Sequence, residues 1–269
     1  MSAQLVTPGS LARTIAFVHH KGGTGKTTAC INVAGWLNKM KKRVLVIDLD
    51  PQGNATAGLG IDRSSIEDTI YDVMFGFKNL GMIILETESG VYLAPSSLDL
   101  LAAETHMAGQ SDNTAILKGS LKDVDKFFDY ILIDVPPGST LLMINGIVAS
   151  ENIIIPVDSG VFAFETLETL KTLIIDLAGE LGVEVNVMML LLKQHPGPGF
   201  WSNPTKEIKG MLKRFLSENN ISEVDIYKIP FSTKIYKAQM KGSPISHFAP
   251  RSDVGKAYKR ITKGILNSV

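Results

Sequence analysis

The sequence predicts a doubly wound α/β fold, with helices on both faces of a mostly parallel sheet, and three observations carry that prediction. Apolar runs of strand length alternate with stretches of helical period along most of the 269 residues. The strand runs are rich in Ile, Leu and Val throughout instead of alternating with polar residues, the pattern of strands buried on both faces. At 45% hydrophobic and 20% charged residues, a chain of this length buries a large core without covalent staples.

Taken in order, residues 14–19 (TIAFVH) read as the first strand and 26–40 (KTTACINVAGWLNKM) as the helix after it. A second strand is expected at 43–48 (RVLVID), with further strands at 129–134 (DYILID), 152–157 (NIIIPV) and 184–192 (EVNVMMLLL). Helical period predicts helices at about 64–75, 97–108, 114–127, 139–149, 163–181, 204–219 and 252–267. The stretch 194–204 (QHPGPGFWSNP) is a Pro/Gly surface loop. One domain is expected over residues 13–269, after an N-terminal extension of residues 1–12, with no internal repeat or long linker.

Composition excludes several classes. Cys30 is the only cysteine, so a disulfide scaffold and a four-cysteine zinc or iron–sulfur site within one chain are ruled out. No apolar run reaches the ~18–20 residues needed to span a bilayer, and the first residues lack the apolar stretch of a signal peptide. A cytoplasmic protein is expected. The 27 basic and 27 acidic residues cancel, yet residues 201–269 hold 13 basic against 5 acidic, a local charge of +8, which leaves −8 on the first 200. Such a molecule is polarised, and its last quarter either faces a polyanion or is a solvated helical surface. Charge alone favours the solvated surface.

The sharpest motif is Lys21-Gly22-Gly23-Thr24-Gly25-Lys26-Thr27-Thr28, between a strand and a helix. This is the context of a phosphate-binding loop. Glycines let backbone N–H groups turn inward around phosphate oxygens without a Cβ clash, and the helix N-terminus adds free donors. Lys26 is expected to hold the β and γ phosphates of ATP, and the Thr27 hydroxyl to ligate Mg²⁺. A plain glycine turn ahead of a helix would not need the Gly-Lys-Thr. The general pattern asks for glycine at position 20, where this chain has His20, and it has a second lysine, Lys21, early in the loop.

Two carboxylate motifs follow. Asp48-Leu49-Asp50-Pro51-Gln52-Gly53-Asn54 ends the second strand, and the carboxyl ends of parallel strands face the ligand crevice in such folds. Asp48 and Asp50, two residues apart on extended backbone, point the same way and are expected near Mg²⁺ or an attacking water. Asp129–Gly138 (DYILIDVPPG) is an apolar strand ending in Asp134, the Walker B form, with Asp134 expected to bind Mg²⁺ through water.

With these motifs in place, the chain resembles the deviant Walker A ATPases, the ParA/MinD family, whose signature is K-G-G-x-G-K-T-[TS]. The resemblance covers about residues 13–267 and is nearest to the ParA type. The run D-x-D-P-Q-G-N-A-T is similar to its switch I, Pro136-Pro137-Gly138 to its switch II, Asn152–Leu170 to a strand–loop–helix segment, and Arg251–Leu266 to its final helix. The resemblance implies that Lys21 reaches across a dimer interface to the partner's nucleotide, that Asp50 positions the attacking water, and that Asp48 supports the metal shell. It places backbone at Pro230 and Phe231 around the adenine. It also implies an ATP-bound homodimer, sequence-independent DNA binding on the nucleoid, and a partner protein that stimulates an otherwise weak ATPase, in plasmid or chromosome partitioning.

Lys206, Lys209 and Lys213 share one face of a predicted helix, and with Lys234 and Lys237 they are the expected DNA contacts. The family's usual Arg-Asn after Ile-Pro is Phe231-Ser232 here, and His19-His20 replaces the usual amides. A MinD-like membrane switch would need an amphipathic tail beyond the last helix, and the sequence ends at Asn267-Ser268-Val269, so no membrane partner is expected. A reductase iron protein would need bridging cysteines. An ATP-dependent amidation enzyme of related fold is disfavoured by the long switch I match. The remaining alternative is a positioning ATPase acting on a membrane or a protein assembly.

Overall fold

A computed structural model describes residues 11–109, 113–138, 140–150, 152–158, 186–193 and 224–268, together with residues 168, 171, 172, 175, 176, 179, 180, 182, 210 and 214. The strands are β1 Arg13–Phe17, β2 Val44–Asp48, β3 Leu85–Glu86, β4 Tyr92–Ala94, β5 Tyr130–Asp134, β6 Asn152–Asp158, β7 Asn186–Lys193 and β8 Asp225–Ile229. They form one sheet in the order β3-β4-β2-β5-β1-β6-β7-β8. Every pairing is parallel except the short β3–β4 edge. This is the doubly wound sheet the apolar runs predict. The central strands carry no polar face because both faces are covered: β2 and β5 are buried at every position.

The helices are α1 Lys26–Lys39, α2 Asn54–Gly58, α3 Ile70–Met74, α4 Leu100–Met107, α5 Ile116–Leu121, α6 Leu141–Val148, α7 Thr233–Met240, α8 Ile245–Phe248 and α9 Asp253–Asn267. Several depart from the sequence reading. The expected helix at 64–75 is instead a 3-10 turn at Arg63–Ser65 and the short α3. Asp62 caps the turn, and Thr69 and Asp72 close a capping box that restarts the chain as a helix. The expected helix at 114–127 stops at Leu121 and resumes only as a 3-10 turn, Asp125–Phe127. Helices α2, α7 and α8 lie outside the sequence reading. All three are short and α7 buries only Ala238, so none shows a full apolar stripe. The expected helix at 204–219, and most of that at 163–181, lie outside the described residues. Among the described residues no helix is long and apolar enough to cross a membrane.

Register places the chemistry. Phe17 pairs with Asp134 across β1–β5, and Asp48 with Asp134 across β2–β5. Two carboxylates therefore end side by side at the carboxyl edge of the sheet, next to the strand that feeds the glycine loop. The chain leaves β1 for β2 on one side of it, while β6 lies against its other side, which makes this edge a topological switch point.

Helix α1 is seated tightly on the segment that follows α7. Its Asn32 Oδ1 accepts the Ile245 N–H at 2.6 Å, and Lys39 Nζ donates to the Ser246 carbonyl at 2.8 Å. Just past α7, Gly242 lies against Gly60, just past α2, so closely that a Cβ on Gly242 would stand 2.2 Å from the Gly60 Cα. Gly242 also has φ +59°, where L side chains are strained. Gly242→Ala is therefore expected to destabilise the protein by about 2–3 kcal/mol. Gly119→Ala, in a helix with nothing within 4 Å of the added atom, is expected to stabilise it by about 0.5 kcal/mol. Urea unfolding of the two variants beside the parent protein checks both signs.

Candidate active site

The glycine loop runs from the end of β1 into α1. Gly23 and Gly25 adopt φ +76° and +102°, and a Cβ built on Gly22, Gly23 or Gly25 meets no heavy atom within 4 Å. The loop thus turns bare backbone toward open space. That space is a cavity of about 500 Å³ walled by the loop, Lys26, Thr27, Asp50, Pro137 and Gln239. A second cavity of about 240 Å³ adjoins it and shares Gly23, Gly25, Thr28 and Gln239. Its far wall is apolar: Pro156, Leu191, Ile229, Pro230, Phe231 and Ile235. One compartment is polar and phosphate-sized, the other is an apolar cleft, and the loop lies between them.

The two lysines of the loop differ in burial. Lys26 is 5% exposed and Lys21 is exposed. Lys26 Nζ donates to the Lys21 carbonyl at 3.4 Å, as does the Thr24 hydroxyl. Burial pulls the Lys26 ammonium below its ordinary pKa, and the Asp134 and Asp50 carboxylates push it back up. Before the loop, His19 Nδ1 accepts the Lys21 N–H at 3.0 Å and the His19 and His20 rings stack 5.3 Å apart. Burial, then the Lys26 and Lys21 charges, lower the His20 pKa, so His20 is a neutral ring and its Nδ1 is buried without a hydrogen-bond partner.

Of the two expected carboxylates on the second strand, Asp50 lines the phosphate-sized cavity and Asp48 does not. Asp48 Oδ2 accepts both the Thr56 N–H and the Thr56 hydroxyl at 2.7 Å, and Oδ1 accepts the Asp50 N–H at 3.2 Å. The strand ends at Asp48, so the period-two argument for a shared direction stops there. Asp50 instead opens a turn whose Gln52 N–H it holds at 2.9 Å. Burial raises the Asp48 carboxyl to about 6 against the pull of the Thr56 bonds.

Asp134 is fully buried, and neither of its oxygens has a hydrogen-bond partner. Burial pushes it well above the usual carboxylate range. The Asp48 charge adds to this, while the Thr27 hydroxyl and the Lys26 ammonium oppose it. Unmet buried carboxylate oxygens are costly, and here they lie near the hydroxyl of Thr27, which lines the phosphate-sized cavity. That donor set of hard oxygens fits Mg²⁺. Among the described residues no group of three or more His, Cys, Asp and Glu side chains could hold a metal by itself. Phosphate and water oxygens would complete the coordination, as Mg²⁺ prefers.

The third motif closes the site from below. Gly138 N–H donates to the His20 carbonyl at 2.7 Å, and Leu49 N–H to the Asp134 carbonyl at 2.9 Å. The segment after Asp134 and the segment after Asp48 are thus both tied to the glycine loop or its neighbour. Pro230 and Phe231 lie on the wall of the apolar cleft. Lys234 and Lys237 are exposed on α7. Lys206, Lys209 and Lys213 lie outside the described residues. Three site residues escape the sequence reading. Thr56 holds Asp48, Lys193 Nζ reaches the Gly23 carbonyl at 3.1 Å, and Gln239 meets Thr28. The Ala-Thr closing the switch I run carries the signal for Thr56; Gln239 and Lys193 have none.

A family model described as an AAA domain matches residues 12–187. The sporulation initiation inhibitor protein Soj of Bacillus subtilis is 30% identical over 95% of this chain and 98% of its own. The chromosome-partitioning ATPase Soj of Thermus thermophilus is 30% identical over 96% of each chain. The chain belongs to the ParA/MinD family of P-loop ATPases. Among solved structures, cobyrinic acid a,c-diamide synthase from Mycobacterium smegmatis, with bound ATP analogue and magnesium, superposes with a TM-score of 0.80 at 23% identity, covering 95% of this chain and 94% of that one. At that identity the likeness is one of fold. The ParA/MinD assignment accounts for the paired lysines of the loop, one buried and one exposed, better than the general P-loop pattern, which has only the first.

Buried carboxylates give this ParA/MinD chain a defined pH response. Asp48 titrates at about 6 in the folded chain, against an ordinary value of 3.8. The folded state holds more protons between those values, so its contribution to stability is full below about pH 4 and is lost as pH rises through 6. The nucleotide-free protein is expected to lose about 2–3 kcal/mol between pH 4 and 7 from this group. Asp50→Asn removes the carboxylate charge that adds to burial in raising Asp48 and is expected to flatten the decline slightly and raise the urea midpoint at pH 7. Unfolding titrations at pH 5, 6 and 7 on both proteins measure it.

Proposed function

We propose that this chain is an ATP-dependent dimerising switch of the ParA type, which partitions plasmid or chromosomal DNA by binding DNA without regard to sequence. The observation that carries the reading is the split between its two loop lysines. Lys26 is buried against its own cavity, while Lys21, five residues earlier, is exposed, which supports a role for it toward a second subunit.

The geometry supports a role for each group. Backbone N–H groups of Gly22–Gly25 and the start of α1 bind phosphate oxygens, and Lys26 neutralises the β and γ phosphates. Thr27 and Asp134 would hold Mg²⁺, which neutralises charge developing between those phosphates, with Asp48 fixing the loop behind them. Asp50, on the cavity wall with one oxygen committed to Gln52 N–H, keeps the other to orient water. Pro230 and Phe231 pack against adenine. Turnover is slow until a partner protein completes the positioning on which phosphoryl transfer depends. Lys234 and Lys237, with Lys206, Lys209 and Lys213, contact DNA phosphates, so the ATP-bound dimer sits on the nucleoid in the cytoplasm.

Lys26→Ala is expected to weaken ATP binding by roughly two orders of magnitude, because it removes a buried cation facing the phosphates; equilibrium dialysis with ATP measures it. Asp50→Ala is expected to bind ATP and dimerise without hydrolysis, and Lys21→Ala to bind ATP yet dimerise and hydrolyse poorly. Sedimentation beside a phosphate-release assay separates the two. A Lys21→Ala protein that dimerises and turns over normally removes the trans role.

DNA binding by Asp50→Ala with ATP is expected to fall steeply with salt and to be equal for unrelated sequences. Adding Lys234→Glu and Lys237→Glu should weaken it on every sequence and lower the salt slope by about 1 for each phosphate no longer neutralised. A dimer that forms with ATP but binds no DNA at low salt points to a positioning ATPase acting on a membrane or a protein assembly.

A further inference from the structure

The side chain of Gln239 is the one part of α7 that reaches both nucleotide compartments. It lines the phosphate-sized cavity and the apolar cleft alike, and its Nε2 donates to the Thr28 hydroxyl oxygen at 3.1 Å. Thr28 in turn lines both cavities, at the third residue of α1. The pair therefore stands at the junction, where a nucleotide spanning the two compartments places the phosphate that joins its base and ribose to the rest.

The direction of that hydrogen bond matters. A hydroxyl has one proton to donate and two lone pairs. With one lone pair taken by the Gln239 amide, the Thr28 proton is turned away from Gln239, and the open side of Thr28 is the cavity. The backbone around Gln239 is held stiffly enough to enforce this. The Asn32 side chain donates to the Thr28 carbonyl at 2.7 Å and accepts the Ile245 N–H at 2.6 Å. At the other end of the same segment, Gly242 is in van der Waals contact with Gly60. The segment that carries Gln239 is thus pinned both to α1 and to the chain after α2.

We propose that Gln239 is a positioning residue for nucleotide binding: it orients the Thr28 hydroxyl to donate to the α-phosphate oxygen of a bound adenosine di- or triphosphate. The inference rests on the nucleotide-binding reading of this site and adds to it a residue from outside all three motifs. Because ADP and ATP share the α-phosphate, the effect is equal on both.

Isothermal titration of full-length protein with ADP and with the slowly hydrolysed analogue ATPγS tests it. Gln239→Leu is expected to weaken both ligands by the same factor, roughly 5- to 10-fold, the range for the loss of one ordinary hydrogen bond. Gln239→Glu, of the same shape, turns the donor into an acceptor that draws the Thr28 proton to itself, and is expected to weaken both at least as much. In a Thr28→Val background, Gln239→Leu is expected to have no further effect, a non-additivity that a merely structural role would not produce. Thermal melts without nucleotide check that the variants fold as the parent does. Unchanged affinity in Gln239→Leu overturns the proposal, as does an equal loss with and without the Thr28 hydroxyl, or a loss confined to ATPγS. A parent protein that binds neither ligand overturns the nucleotide reading itself, and this inference with it.

Discussion

Asp134 reaches the end of β5 with no solvent exposure and with both oxygens unmet, and the neighbouring strand delivers Asp48 directly alongside it. Like charges gathered in a low-dielectric edge repel, and burial penalises each on its own. The surroundings answer that penalty piece by piece. Thr56 and the Asp50 N–H stabilise Asp48. The buried ammonium of Lys26 is held within the field of Asp134 and Asp50 at the cost of its own desolvation. Of these carboxylates, Asp134 is the one left without hydrogen bonds, which makes it the group that gains most from a hard cation.

The parallel sheet is what allows such a concentration. Parallel strands end together, so carboxylates from β2 and β5 and the loop after β1 converge without any long-range coincidence of turns. On the other side of the loop, β6, β7 and β8 bring Pro156, Leu191 and Ile229-Pro230 to the wall of an apolar cleft. Charge and apolar surface are thus divided by a single loop, with bare glycine backbone at the divide. An adenine nucleotide has the same division along its length, and the two cavities match its order.

Much of this is legible in the sequence for a physical reason. Glycines at φ values of +76° and +102° have no substitute, so the loop announces itself, and an apolar strand ending in Asp134 is readable because burial on both faces leaves no polar position to confuse it. Asp50 and Lys26 are visible because each belongs to such a motif. The hydrogen bonds that decide the finer roles are not. Asp48 and Asp50 are equivalent two residues apart on paper, and only the end of the strand at Asp48 and the hydroxyl of Thr56 separate them. Helix α7 carries one buried residue, Ala238, so periodicity cannot find it, and Gln239 looks like any surface glutamine until α7 is laid across Thr28. The elements broken by capping, at Asp62 and Thr69, read as continuous in the sequence because local side-chain bonds outweigh period over so few residues.

The contact between Gly60 and Gly242 has a consequence for how such a chain can change over time. Two backbones touch there without a side chain between them, and one of them carries the lysine-bearing helix while the other follows the first carboxylate motif. Lys234, Lys237 and Met240 are all exposed on that helix, so each can be exchanged with little effect on folding. A lineage is free to redraw the outward face for a different surface while the inward seat stays fixed at two residues that admit no methyl group. The tolerance and the prohibition sit within one short helix and the residue pair at its end, so the outward face can change without moving the seat of the nucleotide site.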